Sequence, residues 1–295
     1  MSYSSVSIIY NPKSKGPSKR NALALERLLK KDPAISAKIK VVPTEHAGHA
    51  EVLAYELAKA SPKPLIISAS GDGGYNEVIN GAMKAQAEGA TVITGLLPSG
   101  NANDHYNSIR SGVLEQLIHD DHPRRIDLLQ VTVTSEGKQW QRYAHSYVGI
   151  GLTASASVRY NQNKLNPVSE WVISFQEITR IRPIKVLIKD TEQAYDSLII
   201  SNINRIGKLF FVSAKSKIDD GRFEVVAMPT SNRKELLRHI AKAMANRGGA
   251  WEQASYFSFK TVNPQKMQTD GEVHELPANA TVSIQSVPQT LRCIV

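Results

Sequence analysis

The apolar residues of this chain change their period once, near Asp127, and that change restricts the fold more than any single motif does. Before it, strand and helix patterns alternate. Val6-Ser7-Ile8-Ile9-Tyr10 is a buried strand type ended by Asn11-Pro12. Residues 18–31 carry Leu23, Leu25, Leu28 and Leu29 at mostly helical spacing. Residues 38–42, 65–68 and 91–97 read as further strands, with helices over 50–60 and 77–86 between them. Strands separated by helices imply a parallel sheet with covered faces, and such sheets bind ligands where strand ends open into loops. After Asp127 many runs are short and alternating, as in antiparallel sheets. Segments 128–134, 143–150, 184–188, 198–201, 223–227, 256–261, 282–285 and 291–295 read as strands, interrupted by helical stretches at 168–180 and 234–245. The expected architecture is an α/β N-terminal domain with a parallel sheet over residues 1–130. A mostly β C-terminal domain, read as a sandwich, takes residues 131–295.

A chain of 295 residues is long for one core and comfortable for two domains. No apolar run approaches the roughly 20 residues that span a bilayer, and residues 1–10 lack the pattern of a signal peptide. Cys293 is the one cysteine, so no internal disulfide forms and no zinc-ligand spacing exists. A reducing, cytoplasmic setting is the default expectation. The net charge of +9 draws the protein to anionic surfaces, either nucleic acid or an acidic leaflet. No zinc-finger or RNA-binding aromatic signature favours nucleic acid, so none is expected as a partner.

The segment Ser70-Gly71-Asp72-Gly73-Gly74-Tyr75-Asn76-Glu77-Val78 follows a strand and precedes a helix. Glycines there let the backbone turn sharply and approach a ligand, while exposed N–H groups and the helix dipole attract phosphate. An aspartate in such a turn is repelled unless a cation shares the site, so Asp72 suggests Mg²⁺ bridging to nucleotide phosphates. The alternative is a structural turn with Asp72 as helix cap. Leu97-Pro98-Ser99-Gly100-Asn101-Ala102-Asn103-Asp104 repeats the logic at the next strand end, with Asn103 or Asp104 as the alternative cap. Two small-residue loops on one sheet edge make a nucleotide cleft.

Two later segments carry Asp-Gly. Asp220-Gly221-Arg222 before a β run reads most simply as a hairpin turn, and Asp270-Gly271 is again a turn signal. Glu272 beside it is a candidate general base if the fold aims it at a substrate. Residues 231–244 form a candidate surface helix. Leu236, Leu237, Ile240 and Met244 share one face, and Arg233, Lys234, Arg238 and Lys242 supply positive charge. It suits an anionic bilayer, although a helix packed on the second domain with a solvated basic face is the plainer reading.

In this order, the segments resemble the diacylglycerol kinase catalytic family, which includes soluble bacterial lipid kinases and sphingosine kinases. Ile8 to Ser14 is similar to the family's opening strand and Asn-Pro-x-Ser-Gly loop. Ser70 to Val78 with Asn80-Gly81 resembles its Gly-Gly-Asp-Gly-Thr-x-Asn-Glu-Val-x-Asn-Gly signature, and Pro98 to Asp104 its Gly-Thr-x-Asn-Asp loop. The resemblance implies ATP and Mg²⁺ as cofactors, with ATP and lipid meeting between the two domains. It implies that Gly71, Asp72, Gly73 and Gly74 hold phosphates and magnesium, and that Asn11, Thr44, Gly100 and Asn103 frame the nucleotide. Asp220 and the backbone carbonyl of Arg222 would form a second, structural Mg²⁺ site, joined to Asp72 through Asp104 and Asp127. Glu272 would be the catalytic base, and the partner a lipid at an anionic membrane surface, reached peripherally.

Five positions depart from the family pattern. Lys15, Ser70, Gly74, Asn101 and Ser146 replace, in turn, a glycine, a glycine, a threonine or serine, a threonine and an asparagine. The readings left open are an active lipid kinase, a weak or inactive nucleotide or lipid sensor, and an NAD-kinase-like or phosphofructokinase-like enzyme with a soluble acceptor. The identity of the lipid, the nucleotide preference and the oligomeric state, a homo-oligomer included, are not legible.

Overall fold

The computed structural model describes residues 3–14, 16–151, 154, 183–207, 210–229, 238 and 252–295. Lys15, the helix expected over 168–180 and the candidate surface helix of 231–244, apart from Arg238, lie outside them. The chain divides into two compact units, residues 1–127 with 289–295, and residues 128–288.

The first unit alternates strand and helix as its periodicity predicts. The strands are β1 (Ser5–Tyr10), β2 (Lys38–Pro43), β3 (Pro64–Ser70) and β4 (Ile93–Pro98). The helices are α1 (Ser18–Lys31), α2 (His49–Lys59), α3 (Asp72–Ala87), α4 (Asp104–Ile109) and α5 (Leu114–His119). All strand pairings here are parallel, in the order β2-β1-β3-β4. Ala22, Leu25 and Leu29 of α1 recur every three or four residues and pack with Val6, Ile8, Leu65 and Ile67. Lys30 and Lys31 in the last turn of α1 complement the helix dipole.

α2 and α3 approach closely at Gly81, where a Cβ would lie 2.1 Å from the Glu51 carbonyl oxygen. Gly81→Ala is therefore expected to destabilise the unit by about 1–3 kcal/mol, because overpacking outweighs the roughly 1 kcal/mol gained in helix propensity. Thermal unfolding checks it; a raised Tm would mean the helices separate freely.

In the second unit the strands are β5 (Arg124–Ser135), which begins in the first unit, β6 (Lys138–Ala144), β7 (Tyr147–Gly151), β8 (Ile184–Ile188), β9 (Thr191–Ser201), β10 (Arg205–Ile206), β11 (Phe210–Phe211), β12 (Phe223–Pro229), β13 (Glu252–Ala254), β14 (Tyr256–Thr261), β15 (Gln265–Thr269), β16 (Glu272–Leu276) and β17 (Thr281–Ile294). The strand pairings described for these elements are antiparallel, except that of β17 with β4. One core joins them, with Val148, Leu198, Phe223, Phe259, Met267 and Val282 among its buried members. No described helix is long and apolar enough to cross a membrane.

Four sequence expectations need revision. The strand expected over 143–150 is broken at His145 and Ser146, whose N–H groups bind a buried carboxylate rather than a neighbouring strand. The strands expected at 282–285 and 291–295 are one strand, β17. Its first part pairs with β14, while Cys293 and Ile294 pair in parallel with Thr94 and Gly95 of β4. Residues 289–295 thereby belong to the first unit, not to the second domain assigned over 131–295. The Asp220-Gly221 turn is no hairpin. The Asp220 Oδ1 accepts the Arg222 N–H at 3.0 Å, and the following β12 pairs with β9 and β13.

Cys293 is 1% exposed, and burial pushes its thiol up to about 12. Without a thiolate it is a poor nucleophile. Native protein is expected to leave a thiol reagent unreacted, and denatured protein to release one equivalent per chain; rapid native labelling would contradict this packing.

Candidate functional site

The parallel sheet of the first unit carries Asn11, Thr44, Gly71 and Gly100 to one edge, each within one or two residues of the C-terminal end of β1, β2, β3 or β4. The Thr44 N–H donates to the Tyr10 carbonyl at 2.9 Å. The Asn11 Oδ1 accepts the Lys13 N–H at 2.8 Å and shapes the first loop. Gly16 packs against the loop after β4, where its Cβ would lie 2.5 Å from the Ser99 carbonyl oxygen.

The loops after β3 and β4 touch backbone to backbone. A Cβ on Gly100 would lie 2.3 Å from the Gly71 Cα, and the Ser99 N–H donates to the Ser70 carbonyl at 2.8 Å. Asn103 has φ 51° and closes its loop on itself. Its Oδ1 accepts the Gly100 N–H and its Nδ2 donates to the Gly100 carbonyl, both at 3.0 Å. Both glycine loops thus form one surface, and the Asn103 amide serves to shape it.

Gly71 is the N-cap of α3, and its carbonyl accepts the Tyr75 N–H at 3.1 Å. The N–H groups of Gly73 and Gly74 lie in the first turn, ahead of the first intrahelical bond. The Asp72 carboxylate caps a different helix from its own. Oδ2 accepts the Asp104 N–H at 3.0 Å and Oδ1 the His105 N–H at 3.1 Å. Glu77 does the same for α2, accepting the N–H groups of Gly48 and Ala50 at 3.1 Å each. The Asp72 carboxylate, read in the sequence as a phosphate and metal group, therefore also anchors a neighbouring helix start. Asp104 meets Asp72 through its backbone. Asp127 is fully buried, and its Oδ1 accepts the Gln289 N–H at 2.7 Å, holding the returning β17.

In the second unit, Asp270 and Gly271 form the two-residue turn between β15 and β16, with φ 49° and 94°. Those signs fit the type I′ hairpin that Asp-Gly favours. Asp270 is 1% exposed. Its Oδ2 accepts the His145 N–H at 2.7 Å, and its Oδ1 accepts those of Ser146 and Tyr147 at 3.0 and 2.9 Å. The Ser146 Oγ lies 2.8 Å from His145 Nδ1, and His145 Nε2 lies 3.4 Å from Asp270 Oδ2. This has the outline of a hydrolytic triad, but all three residues are buried and the carboxylate is taken up by backbone donors. It is a clamp.

The clamp fixes the start of β16, where Glu272 stands. Its Oε2 lies 2.5 Å from an Arg142 Nη2, and its side chain is 30% exposed. His274 shares this surface, in ring contact with Trp140 and 2.8 Å from the Thr269 Oγ1. Burial and then the Arg142 charge push His274 down to about 4, so it is neutral at pH 7. Sequence reasoning missed Arg142, because an arginine in an alternating strand carries no sign of the carboxylate it will meet.

A magnesium ion fits Asp72 only in company. Each Asp72 oxygen accepts a backbone N–H, and a carboxylate oxygen can serve more than one partner. No group of three or more acidic, His or Cys side chains among the described residues is placed to hold a metal by itself. Mg²⁺ commonly keeps waters and borrows ligands from substrate phosphates, which suits a site with one carboxylate at the start of a helix. Asp220 is exposed and offers its second oxygen.

Residues 5–131 match the diacylglycerol kinase catalytic domain. A diacylglycerol kinase of Staphylococcus haemolyticus is 25% identical over 92% of this chain and 83% of its own length. One of Staphylococcus epidermidis is also 25% identical, over 92% of this chain and 87% of its own. The crystal structure of a diacylglycerol kinase from Bacillus anthracis superposes with a TM-score of 0.70 at 17% identity, covering 100% of this chain and 97% of that one.

Proposed function

We propose that this chain is a phosphotransferase of the diacylglycerol kinase catalytic family, whose catalytic domain residues 5–131 match, and that it transfers the γ-phosphate of ATP to the hydroxyl of a lipid such as diacylglycerol. The observation that carries the reading is the joined surface of the two glycine loops, which brings the start of α3, with Gly73 and Gly74 in its first turn, beside the Asp72 carboxylate. Gly71, Gly73 and Gly74 bring backbone close to the phosphates, and N–H donors aimed at their oxygens offset charge there without reorganising. Asn11, Thr44, Gly100 and Asn103 frame the nucleotide from the same sheet edge. Magnesium, held by Asp72 through water and phosphate, would supply further charge neutralisation. Asp220 with the Arg222 carbonyl is the proposed second, structural site.

Glu272 accepts the proton of the lipid hydroxyl as that oxygen attacks phosphorus. Arg142 keeps the carboxylate oriented, and the Asp270 clamp keeps the hairpin that carries it in register. The net charge of +9 favours an anionic lipid surface, to which the protein would bind peripherally from the cytoplasm. Incubation with labelled ATP and a total lipid extract, followed by identification of the labelled product, tests the reading. Label in a lipid phosphate supports it. Label only in a soluble acceptor would replace the lipid assignment, and no transfer with intact ATP binding would select the sensor.

A further inference from the structure

We propose that Ser70 is a nucleotide-binding residue, supplying the phosphate turn with a side-chain hydroxyl from a place that Gly74 leaves open. This rests on the nucleotide site proposed above and adds a contact to it. Ser70 is the only hydroxyl residue among positions 70–74. It ends β3, is half-buried, and its Oγ donates to the Gly71 carbonyl at 2.9 Å. The buried Ser68 lies behind it, Oγ to Oγ, at 2.7 Å. With Ser70 donating to Gly71, Ser68 is the donor of that pair.

The same oxygen stands over the first turn of α3. A Cβ built on Gly74 would lie 2.6 Å from Ser70 Oγ and 2.7 Å from Ser70 Cβ, closer than real Cβ atoms approach anything. Positions 70 and 74 therefore share one volume, and only one of them can fill it. Residue 70 reaches it from the strand and residue 74 from the helix. What read in the sequence as two separate departures is one hydroxyl-sized exchange. With the side chain on the strand, no Cβ stands at Gly73 or Gly74, and the N–H groups there stay open. A hydroxyl rotates at little cost, so Ser70 can turn its proton from the Gly71 carbonyl to a phosphate oxygen beside those N–H groups.

The test is a cycle of four proteins, wild type, Ser70→Ala, Gly74→Ser and Ser70→Gly/Gly74→Ser. Titration calorimetry with Mg·ATP and with adenosine is paired with thermal unfolding. A hydrogen bond to a charged phosphate oxygen predicts that Ser70→Ala weakens Mg·ATP binding by about tenfold or more and leaves adenosine binding unchanged. Gly74→Ser alone lowers Tm, because it crowds Ser70. The double variant regains both Tm and Mg·ATP affinity, to within about threefold of wild type. Wild-type affinity for Mg·ATP in Ser70→Ala would overturn the proposal, as would equal losses for ATP and adenosine. A wild-type protein that binds no Mg·ATP would instead overturn the nucleotide site itself.

Discussion

Glu272→Gln is expected to lower the rate of lipid phosphorylation by about 10²–10⁴-fold, the range that a positioned general base contributes. The exchange keeps the size and shape of the side chain and removes its capacity to take a proton. Glu272 is carried by the second unit, whereas the loops proposed to hold ATP belong to the first. Mg·ATP affinity should therefore stay within about twofold of wild type. The variant also breaks the 2.5 Å pair with Arg142, whose side chain is 16% exposed. A thermal scan is needed beside the kinetics, because a half-buried guanidinium left without this carboxylate costs stability. A loss of kcat with Tm and Mg·ATP affinity preserved identifies the proton acceptor. Equal losses of affinity and turnover would count against that role, and unchanged turnover would remove it.

The second large effect is expected at Asp270. Its carboxylate is the acceptor for three consecutive backbone N–H groups, those of His145, Ser146 and Tyr147. Asp270→Ala leaves these donors buried without that acceptor, and a single unsatisfied buried group already costs about 1–3 kcal/mol. The expected total is roughly 3–5 kcal/mol, equivalent to a fall in Tm of about 10 °C for a chain of this size. Alanine is also disfavoured at φ 49°, whereas asparagine tolerates that conformation. Asp270→Asn should therefore retain more of the stability. Because the turn leads directly into Glu272, both variants should lose turnover even at temperatures where they remain folded. An unchanged Tm in Asp270→Ala would show that the clamp holds nothing.

The elements most legible in the sequence were those whose signals are local. β8 and β14 fall on the residues that alternation predicted, because an alternating strand needs only its own side chains to declare a buried face. The Asp270-Gly271 hairpin was equally readable, since few residue pairs tolerate two positive φ angles in succession. Partnership was not readable. Asp72 looked like a group for phosphate and metal, and nothing nearby in the sequence shows that its two oxygens also hold the N–H groups of Asp104 and His105. Arg142 and Glu272 are 130 positions apart, and neither carries a mark of the other.

From the sequence alone came the order of β1 to β4 and α1 to α3 in the first unit, the two glycine loops closing adjacent strands, and the acidic residues from which a site can be built. Periodicity and turn chemistry act over a few residues, so a linear string records them. Only the tertiary structure decided that the last residues return to pair with β4, that Asp270 binds three N–H groups at once, and that Ser70 and Gly74 share one volume. Each of these depends on which distant backbone or side chain lies within a few ångströms, and distance in space is what a sequence does not carry.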